Sequence, residues 1–134
     1  MIVVDVSVLF GFVVTRDDYH LLAVAARERD PDWQAPRLFR SEFRSIAAGH
    51  LRRGEALPNV LAATANAQSA VVMHEVSDQE VFAVVRESSL SAYDAEYVAL
   101  ARRLGVTLVT TDRQVLEQYP NLAVRLQDFA RPAA

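Results

Sequence analysis

Two short apolar runs, Ile2-Val-Val at the start of the chain and Val106-Thr-Leu-Val-Thr110 near its end, each lead straight into an aspartate, Asp5 and Asp112. A run that is apolar and β-branched without alternation belongs to a strand covered on both faces, the usual state of a strand in a parallel sheet. Strands are expected over residues 2–6, 33–35, 71–76, 106–110 and 123–126. Between them, helical periodicity predicts helices over residues 7–14, 19–29, 57–69, 78–87, 92–104 and 113–118, with Pro36 opening a further helix that runs to about residue 53. Ser91 is placed to cap the helix from residue 92, and Gly105 to end it in the left-handed conformation. Strands alternating with helices imply an α/β chain with a mainly parallel central sheet and helices on both faces. The length of 134 residues, 51% of them hydrophobic, suits one domain over residues 1–134, with 131–134 a frayed tail.

In such sheets a ligand site lies outside the C-terminal ends of the strands, where the connections diverge. Asp5 and Asp112 both fall there, although an aspartate between a strand and a helix also commonly caps the helix. Glu42 shares a helix face with Leu38 and Ile46, and its neighbours three and four residues away include no arginine. Asp94 lies in Ser91-Ala-Tyr-Asp94, which fits a capping box, and its neighbours at the same spacings also include no basic residue. Glu96 is expected to face solvent. Carboxylates gathered without cations raise one another's pKa unless a hard divalent cation is bound between them. The set therefore points to Mg²⁺ or Mn²⁺, which would activate water for displacement at phosphorus.

The absence of cysteine excludes disulfides, thiolate metal sites and a cysteine nucleophile. No apolar run reaches the ~18 residues a membrane span needs, and the amino terminus reads as a strand rather than a secretory leader. These point to a cytoplasmic protein. The 14 basic residues are all arginine and are outnumbered by 17 acidic ones, for a net charge of −3, which does not mark a nucleic-acid binder by composition. His20, His50 and His74 have no spacing that pairs them, and Trp33 reads as a packing anchor. Arg86 and Arg113 could meet phosphate or simply solvate a helix surface.

The chain resembles the PIN-domain nucleases, and more narrowly the VapC-like toxins of bacterial toxin–antitoxin pairs. The likeness is carried by Ile2-Val-Val-Asp5-Val-Ser7-Val-Leu, by Glu42, by Ser91-Ala-Tyr-Asp94-Ala-Glu-Tyr-Val-Ala-Leu100-Ala and by Leu108-Val-Thr-Thr-Asp112-Arg. It implies a three-layer α/β/α fold, Mg²⁺- or Mn²⁺-dependent cleavage of RNA, homodimerisation and inhibition by a small cognate antitoxin. It also implies that Asp5, Glu42, Asp94 and Asp112 are the catalytic, metal-holding acids. Ser7 and Thr111 match hydroxyl positions beside them that could orient a carboxylate or a water. Two other readings stay open: a non-catalytic protein of the same fold acting through a partner or a DNA-bound complex, and a phosphoacceptor of the receiver type. The lack of any lysine speaks against the second.

Overall fold

A computed structural model describes residues 1–131; the residues beyond, most of the tail expected to fray, lie outside the described part. Five short strands, β1 (Ile2–Val4), β2 (Trp33–Pro36), β3 (Val72–His74), β4 (Leu108–Thr110) and β5 (Ala123–Arg125), form one sheet in the order β3-β2-β1-β4-β5. Every pairing is parallel. Eight helices connect and flank the strands: α1 (Val6–Val13), α2 (His20–Arg29), α3 (Phe39–Arg52), α4 (Leu57–Ser69), α5 (Asp78–Glu87), α6 (Ala92–Leu104), α7 (Arg113–Gln118) and α8 (Leu126–Ala130). No helix among the described residues is long and apolar enough to cross a membrane.

The strand order determines where a site can form. The chain moves from β1 outward to β2 and β3, then returns to pair β4 against the other side of β1. Because parallel crossovers are right-handed, this reversal puts the helices of the two halves on opposite faces. Accordingly α6, backed by α5, packs across β1, β2 and β4, while α1 and α8 lie against β4 with α2 behind them. The reversal leaves a crevice above the C-terminal ends of β1 and β4, where two neighbouring connections part. The expected α/β architecture with helices on both faces is the one observed.

The core explains the apolar runs. Val3, Val4, Leu108 and Val109 are buried in the two central strands, and Leu9, Phe43, Val98 and Leu100 close over them from the helices. Trp33 is 1% exposed and packs edge-on against Phe12, with the Arg27 guanidinium over its ring, so it is a packing residue. His20, His50 and His74 all sit at the boundary between core and solvent.

Local boundaries differ from expectation where tertiary hydrogen bonds claim the backbone. Pro36 ends β2 instead of opening a helix, because pairing with β3 continues until the Arg37 amide donates to the His74 carbonyl; α3 starts only at Phe39. Similarly, β4 starts at Leu108 because Val106 is used in ending α6. Its amide donates to the Ala101 carbonyl while the Gly105 amide donates to Arg102, the paired bonds of a Schellman closure. Helix α8 was not expected from the sequence.

Gly105 has a φ of 67°, and a Cβ there would meet nothing within 4 Å. The cost of a side chain is therefore purely conformational. Gly105→Ala is expected to lose about 1–2 kcal/mol of stability in urea denaturation, and Gly105→Asn, which tolerates this conformation better, measurably less.

Candidate active site

Asp5 follows β1 and is the N-cap of α1, its Oδ1 accepting from the Val8 amide at 3.1 Å. Asp112 stands in the same relation to β4 and α7, accepting from the Val115 amide at 3.0 Å. Both are therefore helix caps and crevice residues at once, because a strand that ends in the crevice hands over to a helix that begins there. One cap bond occupies only part of a carboxylate, and Asp112 Oδ2 accepts no hydrogen bond among the described residues.

Asp5 is held far more completely. Oδ1 also accepts from Ser7 Oγ at 2.6 Å, and Oδ2 accepts from the Thr110 hydroxyl and from the Thr111 amide at 3.4 Å. The hydroxyls form a chain. With Asp5 ionised, the single Ser7 proton goes to Oδ1, so the 2.7 Å contact between Ser7 and Thr111 is a bond donated by Thr111. Thr110 Oγ1 in turn accepts from the Asp112 amide at 3.0 Å, linking the two aspartates through one side chain.

Glu42 reaches the crevice from α3. Its Oε1 accepts from the Tyr97 hydroxyl at 2.6 Å, and no arginine pairs with it. Asp94 lies in the first turn of α6, where the Ser91 hydroxyl accepts from the Asp94 amide at 3.2 Å. The reciprocal bond, donated by the Ser91 amide to the Asp94 carboxylate, is absent among the described residues, whereas both halves of a capping box form at Ser77 and Glu80. The capping box expected at Ser91 is thus only half made, and the Asp94 carboxylate is left to line the crevice.

Asp5, Ser7, Glu42, Asp94, Tyr97, Thr110, Thr111 and Asp112 line a single cleft of about 410 Å³. All six residues singled out from the sequence are brought together there. Burial, more than any other influence, raises the Asp5 carboxyl above the ordinary carboxylate range, outweighing the four donors that favour its charge. Burial also raises Glu42, with Tyr97 opposing and the charges of Asp94, Asp5 and Glu96 adding to the rise. Asp94 is raised by burial and then by the charge of Asp112, with the Ser91 hydroxyl opposing and Asp5 adding to the rise. Glu96 is half-buried rather than solvent-facing, and burial followed by the charge of Glu75 raises it. The cleft acids thus act on one another, and no arginine among the described residues forms an ion pair with them.

The donor set is entirely oxygen and carries excess negative charge, which suits a hard divalent cation. Among the described residues, however, no three acidic or imidazole groups are gathered into a ready-made cation cage. The chemistry of the donor set fits such an ion.

Two residues of the cleft were missed in the sequence. Thr110 belongs to the strand-ending Thr-Thr pair, of which only Thr111 was singled out. Tyr97 lies three residues after Asp94 and so on the same face of α6, a spacing that could have revealed it.

Comparison with known proteins agrees with this geometry. A curated relative, "Ribonuclease VapC3" of Pyrobaculum aerophilum, is 37% identical over 76 residues, 55% of this chain. The match covers 57% of that relative's length. The crystal structure of PAE2754 from Pyrobaculum aerophilum superposes with a TM-score of 0.71 at 24% identity, over 96% of this chain and 92% of that one. The Mycobacterium tuberculosis toxin VapC20, described as cleaving the sarcin–ricin loop, superposes with a TM-score of 0.63 at 19% identity, over 86% of this chain and 91% of that one. The PIN domain family matches residues 2–122, a span that includes β1 to β4 and all four crevice acids. With the parallel sheet, the switch-point cleft and this match in agreement, the chain belongs to the PIN domain family.

Proposed function

We propose that this chain is a Mg²⁺- or Mn²⁺-dependent endoribonuclease and the toxin of a toxin–antitoxin pair. On this reading it acts as a single cytoplasmic domain that forms homodimers and is restrained by its antitoxin. The observation that carries the reading is one cleft lined by four carboxylates from four separate elements, with no basic side chain among them. The names of the relatives, a ribonuclease and an RNA-cleaving toxin, support the choice of substrate and biological role.

Asp5, Glu42, Asp94 and Asp112 would hold the cation and do the chemistry. A bound Mg²⁺ or Mn²⁺ supplies a lowered pKa for the attacking water and offsets the charge that develops on the scissile phosphate. The protein's part is orientation. Ser7, Thr110 and the Val8 and Thr111 amides fix both oxygens of Asp5, and Thr111 fixes Ser7 in turn. Asp112 keeps one oxygen on its helix cap and has the other available to the cleft. On this reading Arg113, exposed, next to Asp112 and in no ion pair among the described residues, would meet a backbone phosphate. Arg86, exposed in the last turn of α5, has no comparable tie to the cleft.

Losing a partner outside the ligand set of a metal commonly costs 10–100-fold in affinity or activity, so losing a ligand should cost roughly 100-fold or more. Asp5→Asn and Asp94→Asn are each expected to reduce Mg²⁺-dependent RNA cleavage by at least that factor while the far-ultraviolet circular dichroism is unchanged. Full cleavage by both variants would overturn the assignment. No cleavage of any RNA by the unaltered chain, together with no thermal response to either cation, would favour the binding-protein reading.

The raised carboxyls also set a pH dependence. A carboxyl whose folded pKa lies above its unfolded value does not weaken the fold below the unfolded value; its ionisation weakens the fold progressively as pH rises between the two, and the loss is complete above the folded one. Asp94 is such a group. In chelator, Asp94→Asn is therefore expected to raise Tm at pH 8, with the gain shrinking toward zero as pH falls below the carboxylate range. Added Mn²⁺ should raise Tm of the unaltered chain and have much less effect on the variant.

A further inference from the structure

We propose that Tyr97 is a positioning residue: its phenol clamps Glu42 Oε1, ties α3 to α6, and leaves Oε2 as the oxygen this helix offers to a hard cation. The proposal rests on the divalent-cation reading of the cleft. Tyr97 is 4% exposed and its hydroxyl lies 2.6 Å from Glu42 Oε1. Its ring could be replaced by phenylalanine in the core with no loss of apolar packing. A buried hydroxyl that found no partner would be costly. Glu42 is the one acceptor it bonds among the described residues, so the hydroxyl is explained by Glu42.

The mechanical context supports the same assignment. Helix α3 packs mainly on α4 and α1, and the Tyr97–Glu42 bond joins it to α6. Because Tyr97 and Asp94 are three residues apart on α6, the bond places Glu42 in a defined relation to Asp94. A glutamate on a helix has several rotatable bonds, and holding it before the cation arrives lowers the ordering cost of binding. The clamp is also neutral. An arginine would hold the carboxylate equally well but would bring a positive charge into the cation's place. A hydroxyl orients the carboxylate and leaves its charge available, and Ser7 and Thr110 do the same for Asp5.

The test is a Mn²⁺ titration of Tm with chelator-stripped full-length chain, unaltered and as Tyr97→Phe, Glu42→Ala and the double variant. Tyr97→Phe should raise the Mn²⁺ midpoint about tenfold, the lower range for loss of a partner that orients a ligand. The same change made in the Glu42→Ala background should move the midpoint less than about twofold, since no carboxylate is left to position; coupling of this kind separates a pairwise effect from a general one. An unchanged midpoint for Tyr97→Phe, or an equal shift with and without Glu42, would overturn the clamp while leaving the cation reading intact. Tm in chelator reports folding separately, and a lower Tm with an unmoved midpoint would assign the hydroxyl a structural role alone. No Mn²⁺ response in the unaltered chain would overturn both.

Discussion

The carboxylate of Asp5 is the contact on which the centre of this molecule depends. It takes four hydrogen bonds from three directions: the start of α1, the hydroxyl of Ser7, and the end of β4 with the residue that follows. These bonds connect β1 and β4, the two parallel strands between which the strand order reverses, at the point where their connections part. A hydrogen bond to a charged group is worth about 1.5–3 kcal/mol, so the set is strong. Burial nonetheless still leaves the carboxyl harder to ionise than usual. The fold therefore spends stability to keep a charge at this place.

The surrounding groups show why that charge is not simply neutralised. Every side chain that donates to Asp5 or Glu42 is a hydroxyl, from Ser7, Thr110 or Tyr97. The arginines that do form ion pairs, Arg16, Arg37, Arg102 and Arg103, pair with glutamates elsewhere on the surface. Neutral donors keep the carboxylates oriented and the negative potential of the cleft intact, which is the condition for attracting a hard cation. Sites that break the usual rule against unpaired charge commonly do so for function, at a cost borne by the rest of the fold. Here the burial of Val3, Val4, Leu9, Leu100 and Leu108 in the core is the compensating part.

The cap and the site, which looked like competing roles in the sequence, turn out to be compatible for a geometric reason. A carboxylate has two oxygens, and a helix cap uses one of them. Asp112 divides its oxygens in this way, and Asp94 gives its backbone, rather than its carboxylate, to the Ser91 cap. A sequence pattern such as Ser-x-x-Asp can show that a helix starts, but it cannot show which half of the box is made, because that depends on what else competes for the carboxylate.

The sequence by itself determined the alternation of strands and helices, the acids at the ends of β1 and β4, and the left-handed stop at Gly105. Each follows from local sterics and hydrophobic period, which act over a few residues. Helix spacing likewise put Glu42 and Asp94 among acids without a basic neighbour. What only the tertiary structure decided was contact between distant segments. Pro36 became a strand end because β3 claimed the next amide, Glu96 became half-buried beside Glu75, and Thr110 and Tyr97 became partners of Asp5 and Glu42. Residues 5 and 110, or 42 and 97, are brought together by the reversal of the sheet and the packing of α6 across it. No pattern within a few residues of either partner encodes that meeting.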